Sequence, residues 1–386
     1  MHICILSDGF PSKEIPFFVF VEQLVIALVD RGVKLSVIAP QSLNKSLLRG
    51  IPVLPKHTTC VTSQGNKYQV YRPWMISFGN SSLLHKIASF SKRSAVERAI
   101  RKIGIKNIDV LYGHFWHNSY TLMPTAIKHQ KPLFVACGEG DDALENLVAS
   151  ISEEQLALFK KTVCGCISSS TANKEKSISL GLTDADDVAV YPNSVNKDFF
   201  HPHDKKECRA KLGIQEDDFV VAFVGGFIHR KGSQRLAEAI KRINNPKLKS
   251  IFIGKPMAGE DFTPECPGMI HRGALSHDDI PMYLSAADVF VLPTLKEGCC
   301  NAIVEAQSCG LPVVSSKDAF NDDILTEETS IRIDSNSVDE IEAAIRKLMT
   351  NPALVSQMSK AAIAFTDELS IVKRAEKIEK FIRNKS

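Results

Sequence analysis

The chain reads as an α/β protein built from two doubly wound domains with a cleft between them. Three observations predict this. At 386 residues the chain is long enough for two domains of ordinary size. Short apolar runs alternate with amphipathic stretches along most of the length, the pattern of parallel sheets covered on both faces. A segment framed by prolines and rich in turn formers, from Tyr191 to Pro202, splits that alternation into two series.

In the first series, apolar runs predict strands at 2–6, 34–38, 109–112, 133–136 and 163–168. Helical periodicity falls at 19–30, 83–103, 120–129 and 170–180. Arg31-Gly32 closes the first helix, with glycine free to adopt the left-handed cap. The second series predicts strands at 219–224, 250–253, 289–292 and 313–315, and helices at 234–242, 281–286 and 302–309. Helical sequence dominates from Val338 onward, and no short repeat or low-complexity tract interrupts the pattern. Ligands of doubly wound sheets sit at the strand C-terminal ends, so the loops there are the places to search for chemistry.

Composition narrows the functional classes. No apolar run reaches the roughly 18 residues of a membrane-spanning helix. Met1 leads into a strand rather than a signal peptide, so cytoplasmic residence is expected. Ten cysteines without secretory context argue for reduced thiols. Neither Cys164-Gly165-Cys166 nor Cys299-Cys300 has zinc-knuckle spacing, so no metal is expected. The net charge of +3 is unevenly placed: residues 41–131 hold 14 Lys and Arg against Glu97 and Asp109, which makes that segment +12 and the remainder −9. Such a block is either a solvated helix face or a surface for anionic lipid or a phosphorylated acceptor. Nucleic acid is not expected, because few aromatics interleave with these charges and no nucleic-acid motif appears.

The most informative stretch runs from Lys296 to Val314. It places Glu297 in a loop after an apolar strand, opens a helix near Cys300-Asn301, and carries Glu305 one turn into that helix. The small-residue loop Gly298-Cys299-Cys300-Asn301 offers backbone N–H groups and the positive helix end to an anion. The two carboxylates can accept hydrogen bonds from hydroxyls on either side of it. Phosphate plus hydroxyls, with no cation inside the loop, suits a nucleotide sugar. A strand–loop–helix capped by chance acidic residues is the competing reading. Upstream, Gly225-Gly226-Phe227-Ile228-His229-Arg230-Lys231-Gly232 follows another apolar strand. Its glycines permit close backbone approach, and Arg230 with Lys231 supply charge for a diphosphate. The alternative is a glycine turn with two solvated cations. In the first half, Gly113-His114-Phe115-Trp116-His117-Asn118 ends a strand, where His114 could position or deprotonate an acceptor hydroxyl.

The segment from Glu297 to Glu305 resembles the E-x7-E motif of the retaining glycosyltransferases of family four, which have GT-B architecture with two Rossmann-like domains. Pro192-Asn193-Ser194-Val195-Asn196 is similar to that family's linker. The resemblance implies an N-terminal acceptor-binding domain at 1–195, a donor-binding domain at 203–366, and a final helix, 367–386, packing back on the first domain. It implies that Arg230 and Lys231 hold the donor diphosphate. Glu305 would hold the ribose, Glu297 would serve the donor sugar, and Gly226 and the loop Gly298, Cys299, Cys300 and Asn301 would line the donor site. Arg272 and Leu275 fall in the segment that faces the nucleobase. Family members often carry histidine where this chain has Gly138, and Glu139 or Asp141 then become candidates on the acceptor and sugar side. Asp184-Ala185-Asp186 matches the metal-binding D-x-D of the other glycosyltransferase fold, but it lies in a polar stretch after Gly181 rather than after a central strand.

The expectation is therefore a metal-independent retaining glycosyltransferase. It would move a hexose from a nucleotide diphosphate sugar, with no other cofactor, to a hydroxyl acceptor that could be lipid-linked. Cell-surface polysaccharide or glycolipid synthesis is the expected setting, at the inner face of the membrane. Glu297, Lys231, Arg230 and His114 are the expected catalytic group. The competing classes are a non-catalytic donor-binding subunit and another GT-B enzyme such as a sugar-nucleotide epimerase.

Overall fold

The computed structural model describes residues 1–12, 15, 17–78, 82–257, 259–260 and 262–386, with the side chains of 82–85 and 141 outside that description. It divides into two compact units, Met1–Tyr191 with Ile371–Ser386, and Pro192–Ser370.

The first unit runs β1 (His2–Leu6), α1 (Val19–Asp30), β2 (Lys34–Ile38), β3 (Gln41–Ser42), α2 (Leu43–Arg49), β4 (His57–Val61), β5 (Lys67–Tyr71), β6 (Trp74–Met75) and α3 (Ser82–Ile103). It continues with β7 (Val110–His114), α4 (Trp116–His129), β8 (Leu133–Cys137), α5 (Asp141–Ala149), α6 (Glu153–Thr162), β9 (Val163–Ser168), α7 (Thr171–Ser179) and β10 (Val188–Val190). Its main sheet has the order β10-β9-β8-β7-β1-β2-β5-β4, parallel except for the β4–β5 hairpin at the edge. Every residue of β1, β7 and β8 is buried, as expected of central strands covered on both faces. Two separate apolar clusters, one on each face, do the covering.

The second unit runs α8 (Lys205–Leu212), β11 (Phe219–Val224), α9 (Ser233–Ile243), β12 (Leu248–Ile253), β13 (Met269–Gly273), α10 (Ile280–Ala286), β14 (Val289–Leu292), α11 (Asn301–Ser308), β15 (Val313–Ser316), β16 (Ser330–Ile333), α12 (Val338–Met349) and α13 (Pro352–Thr366). Its sheet is wholly parallel, in the order β13-β12-β11-β14-β15-β16. The chain then returns to the first unit as α14 (Ile371–Lys385), which packs on α1. Ile371, Ala375, Ile378 and Ile382 supply its buried stripe, and Arg31 Nε donates to Glu379 at 2.9 Å beside it.

Several boundaries differ from the sequence expectation. The helix expected at 120–129 starts at Trp116, because Phe115 turns the chain directly from β7 into the helix. The β4–β5 hairpin, α5, α6, α8, β10, β13 and β16 were not anticipated. They are short or peripheral elements with exposed faces and correspondingly mixed sequences. All ten cysteines are free. Among the described residues no helix is long and apolar enough to cross a membrane.

Candidate functional site

In the second unit β11 and β14 are sheet neighbours, so the loops leaving their C-terminal ends abut. The β11 loop makes a tight turn over His229–Lys231 and closes at Gly232, whose φ is +77°. A Cβ there would lie 2.3 Å from the Pro293 carbonyl oxygen, so only glycine allows the turn to seat against the end of β14. Arg235 secures the same junction. Its guanidinium donates to the carbonyls of Pro293 (2.8 Å), His229 (3.0 Å) and Ser335 (2.6 Å). Across the seam Leu295 N–H donates to the Arg230 carbonyl at 2.9 Å, and Arg230 Nη1 to the Lys296 carbonyl at 2.5 Å.

This architecture brings the predicted pair and the first carboxylate together. Glu297 Oε1 accepts from Lys231 Nζ at 2.5 Å, from Arg230 Nη1 at 2.9 Å and from Thr294 Oγ1 at 2.8 Å. Lys231 and Glu297 are largely buried, whereas Arg230 is half exposed. Burial acts first to lower the Lys231 ammonium, but charge interactions with Cys300 and with the Glu297 carboxylate, which also accepts its hydrogen bond, outweigh it and hold the group above its ordinary value. Gly226 lies beside Met257, whose Sδ would be 2.8 Å from an added Cβ.

Downstream, Gly298 and Cys299 are half-buried and lead to Cys300, the N-cap of α11, where no side chain caps the helix. Asn301 opens that helix. Asn193 of the linker braces the loop, with Nδ2 donating to the Cys299 carbonyl at 2.9 Å and its N–H meeting Cys299 Sγ at 3.3 Å. Glu305, one turn in, has His277 Nε2 at 3.8 Å from its Oε1. The His277 ring is itself stacked flat on Phe199, with centroids 5.2 Å apart. Arg272 points elsewhere, donating to the Pro264 carbonyl at 3.0 Å and pairing with Glu265 at 2.9 Å. Leu275 packs against the apolar core.

The first unit gathers its polar groups on the C-terminal edge of adjacent strands β1, β7, β8 and β9. His114, the last residue of β7, is buried between Phe20 (ring centroids 5.5 Å) and Phe115 (4.6 Å). Phe115 holds φ at +134°, a strained value for a non-glycine residue. Burial pulls the His114 imidazole down to about 3, so it is neutral at physiological pH. Among the described residues its Nδ1 has no hydrogen-bond partner, nor have the buried hydroxyls of Ser7 and Ser169 at the ends of β1 and β9.

Glu139 turns inward. Its carboxylate accepts from the N–H of Trp116 at 2.7 Å and of Gly138 at 3.0 Å, and burial nevertheless raises it above the usual carboxylate range. Gly138 faces Ser169 and Phe115, and a Cβ there would meet Ser169 Oγ at 3.2 Å. The side chain of Asp141 lies outside the described residues.

Nearby is a cluster that sequence reasoning passed over. Asp8 Oδ2 is 2.7 Å from His117 Nε2, and its Oδ1 is 2.8 Å from Lys92 Nζ. Burial pushes the Asp8 carboxyl up, but the hydrogen bond to His117 and the Lys92 ammonium prevail and hold it well below the ordinary range. Only the position of Asp8 at the end of β1 could have flagged it. Asp184 pairs with Lys160 at 2.7 Å, whereas the contact at Asp186 is from Lys385 Nζ to its backbone carbonyl at 2.9 Å. Among the described residues no group of three or more His, Cys, Asp or Glu could hold a metal ion.

Residues 204–365 match the family described as glycosyl transferases group 1. A UDP-Gal:alpha-D-GlcNAc-diphosphoundecaprenol alpha-1,3-galactosyltransferase of Escherichia coli is 34% identical over 206 residues, 50% of this chain and 53% of that protein. The chain thus spans about half the length of that relative. The putative teichuronic acid biosynthesis glycosyltransferase TuaC of Bacillus subtilis is 26% identical over 330 residues, covering 81% and 80% of the two chains. Among solved structures, Anabaena HepE in complex with UDP-glucose superimposes with a TM-score of 0.72 at 17% identity over 100% of both chains, a likeness of fold. Residues 204–365 thus resemble the glycosyl transferases of group 1, and the chain as a whole has a GT-B fold.

Proposed function

We propose that this protein is a retaining glycosyltransferase that transfers a sugar from a nucleoside diphosphate sugar to a hydroxyl acceptor. The observation that carries the reading is the meeting of Lys231 and Arg230 on Glu297 at the ends of two adjacent strands. Two cations on one carboxylate form a ready-made seat for a diphosphate, which would take over Lys231 and Arg230 and release Glu297 to accept from hydroxyls of the donor sugar. The same cations then stabilise charge growing on the leaving diphosphate, which is where such a site accelerates the reaction most. The start of α11 adds backbone donors and the helix dipole. Glu305 would hold the ribose hydroxyls, with His277 beside it.

Retention would follow from attack on the same face that the diphosphate leaves, within an ion-pair-like state. His114 contributes as a neutral hydrogen-bonding group rather than as a cation. With Ser7 and Ser169 it offers, at the ends of β7, β1 and β9, three neutral groups that have no hydrogen-bond partner among the described residues, a set suited to polyol hydroxyls. Diphosphate charge is offset by Lys231, Arg230 and the helix dipole, so the reaction needs no metal. The E. coli relative is named for a diphosphoundecaprenol acceptor, and that likeness supports a lipid-linked acceptor and cell-surface glycan synthesis. The basic first unit would then meet anionic membrane.

A second reading, a subunit that binds donor without turning it over, is favoured by Gly138 and by the engagement of both Glu139 oxygens with backbone. A thermal-shift panel of UDP, GDP and ADP tests donor binding, because a ligand of the folded state raises the melting temperature. A shift with one base and none in Lys231→Ala supports the site. No shift with any of them refutes both readings.

A further inference from the structure

The basic block of the first unit is not uniform. Lys92 is neutralised by Asp8 at 2.8 Å. Lys56, Arg98 and Lys102, by contrast, pair with no carboxylate among the described residues, and all three line one pocket of about 240 Å³ with Tyr71 and Trp74. Aromatic rings hold the two lysines in place of carboxylates. Lys56 Nζ lies 3.7 Å from the centroid of the Trp74 ring, and Lys102 Nζ 5.9 Å from that of Tyr71. Arg98 Nη2 donates to the Trp74 carbonyl at 3.1 Å. Three cations thus line one pocket with no paired carboxylate among the described residues, the condition that draws in an anion.

The surroundings say what kind of anion. The segments that supply the pocket also present apolar side chains to solvent: Trp74 is 40% exposed, Val53 47%, Ile76 46% and Phe78 37%. A small hydrated anion gains nothing from such neighbours. A phosphate carrying an apolar tail gains from both, and exposed apolar groups on the segments that carry the cations are features of a membrane-facing surface.

We propose that the Lys56–Trp74–Arg98–Lys102 pocket binds the phosphate of an anionic glycerophospholipid, with the acyl region over Trp74, Ile76 and Phe78. This rests on the membrane-facing reading of the basic unit and deepens it into one headgroup site. Recognition is by three charge-assisted contacts to phosphate and by the ring face, not by a diffuse field over the whole +12 segment.

The chain has two tryptophans, and Trp116 is fully buried, so a change in tryptophan emission reports Trp74. Full-length protein is mixed with phosphatidylcholine vesicles with or without phosphatidylglycerol. A blue shift and protection from acrylamide quenching are expected only with phosphatidylglycerol. At about fivefold per cation, the variant K56Q/R98Q/K102Q should bind on the order of a hundredfold more weakly. The variant K106Q/K128Q/K131Q, with the same charge change outside the pocket, should lose far less. Equal loss in the two variants, wild-type binding in the pocket variant, or equal response to both vesicle types overturns the proposal. So does a tryptophan response that inorganic phosphate alone saturates. The UDP thermal shift, read on the same proteins, reports the donor site separately: its absence in wild type sinks the transfer reading, and its persistence in the pocket variant is expected.

Discussion

Glu297→Gln should tighten the binding of a nucleoside diphosphate while slowing sugar transfer. The Glu297 carboxylate accepts from Lys231 Nζ at 2.5 Å, Arg230 Nη1 at 2.9 Å and Thr294 Oγ1 at 2.8 Å. Glutamine keeps the shape and one acceptor oxygen but removes the negative charge that competes with phosphate for the two cations. A phosphate arriving about 5 Å from that charge escapes a repulsion of roughly 3 kcal/mol at an effective dielectric near 20. Arg230 is 44% exposed, so solvent screens part of this. About 1–2 kcal/mol should remain, or roughly 5- to 30-fold in Kd. Without nucleotide the variant should melt a few degrees lower, because the largely buried Lys231 loses its charged partner. Calorimetric titration with UDP at fixed ionic strength, beside a melting curve, measures both effects. Weaker or unchanged UDP binding would refute the idea that Glu297 and the diphosphate compete for the same cations.

Glu305→Gln should cost about 2 kcal/mol or more in transition-state stabilisation with little change in melting temperature, as donor kinetics on the variant would report. Chelator should leave turnover unchanged, whereas a strict need for manganese or magnesium, abolished by Asp186→Ala, would overturn the mechanism. His114 gives a pH signature. Its folded value is pulled down to about 3, chiefly by burial, against about 6.5 unfolded. The unfolded chain therefore binds more protons between those values, and stability should fall as pH drops through that window, by about 2 kcal/mol at pH 5. His114→Gln should lose that share of the slope between pH 7 and pH 5 in melting experiments, and an unaltered slope would contradict it.

The elements legible in the sequence were those whose periodicity comes from burial. The strands at His2–Leu6, Lys34–Ile38 and Phe219–Val224 and the helix at Val19–Asp30 lie where their apolar pattern predicts them. The β4–β5 hairpin was not legible, because as an edge its strand His57-Thr58-Thr59-Cys60-Val61 has no continuous apolar run. At the donor loop the sequence named Glu297, Arg230 and Lys231 but could not say that they touch. That contact depends on β11 pairing with β14, a relation between residues more than sixty positions apart. Glu139 shows the converse, since a carboxylate in a glycine-rich loop reads as available. Its commitment to the Trp116 N–H depends on the strained turn at Phe115, which no local pattern announces. Arg235, His277 and the Asp8–His117–Lys92 cluster were missed for the same reason, each being defined by partners distant in sequence.

The central claim is sugar transfer with retention from a nucleoside diphosphate donor seated on Lys231. It is tested most directly by incubating wild type and Lys231→Ala with a panel of UDP-, GDP- and ADP-sugars. Nucleoside diphosphate release is followed, and the anomer of the sugar first set free is read by proton NMR. The prediction is release from donors of one base by wild type, with the donor's anomeric configuration kept, and a loss of at least about 30-fold in Lys231→Ala, corresponding to about 2 kcal/mol. Release undiminished in Lys231→Ala, or an inverted anomer, would contradict it.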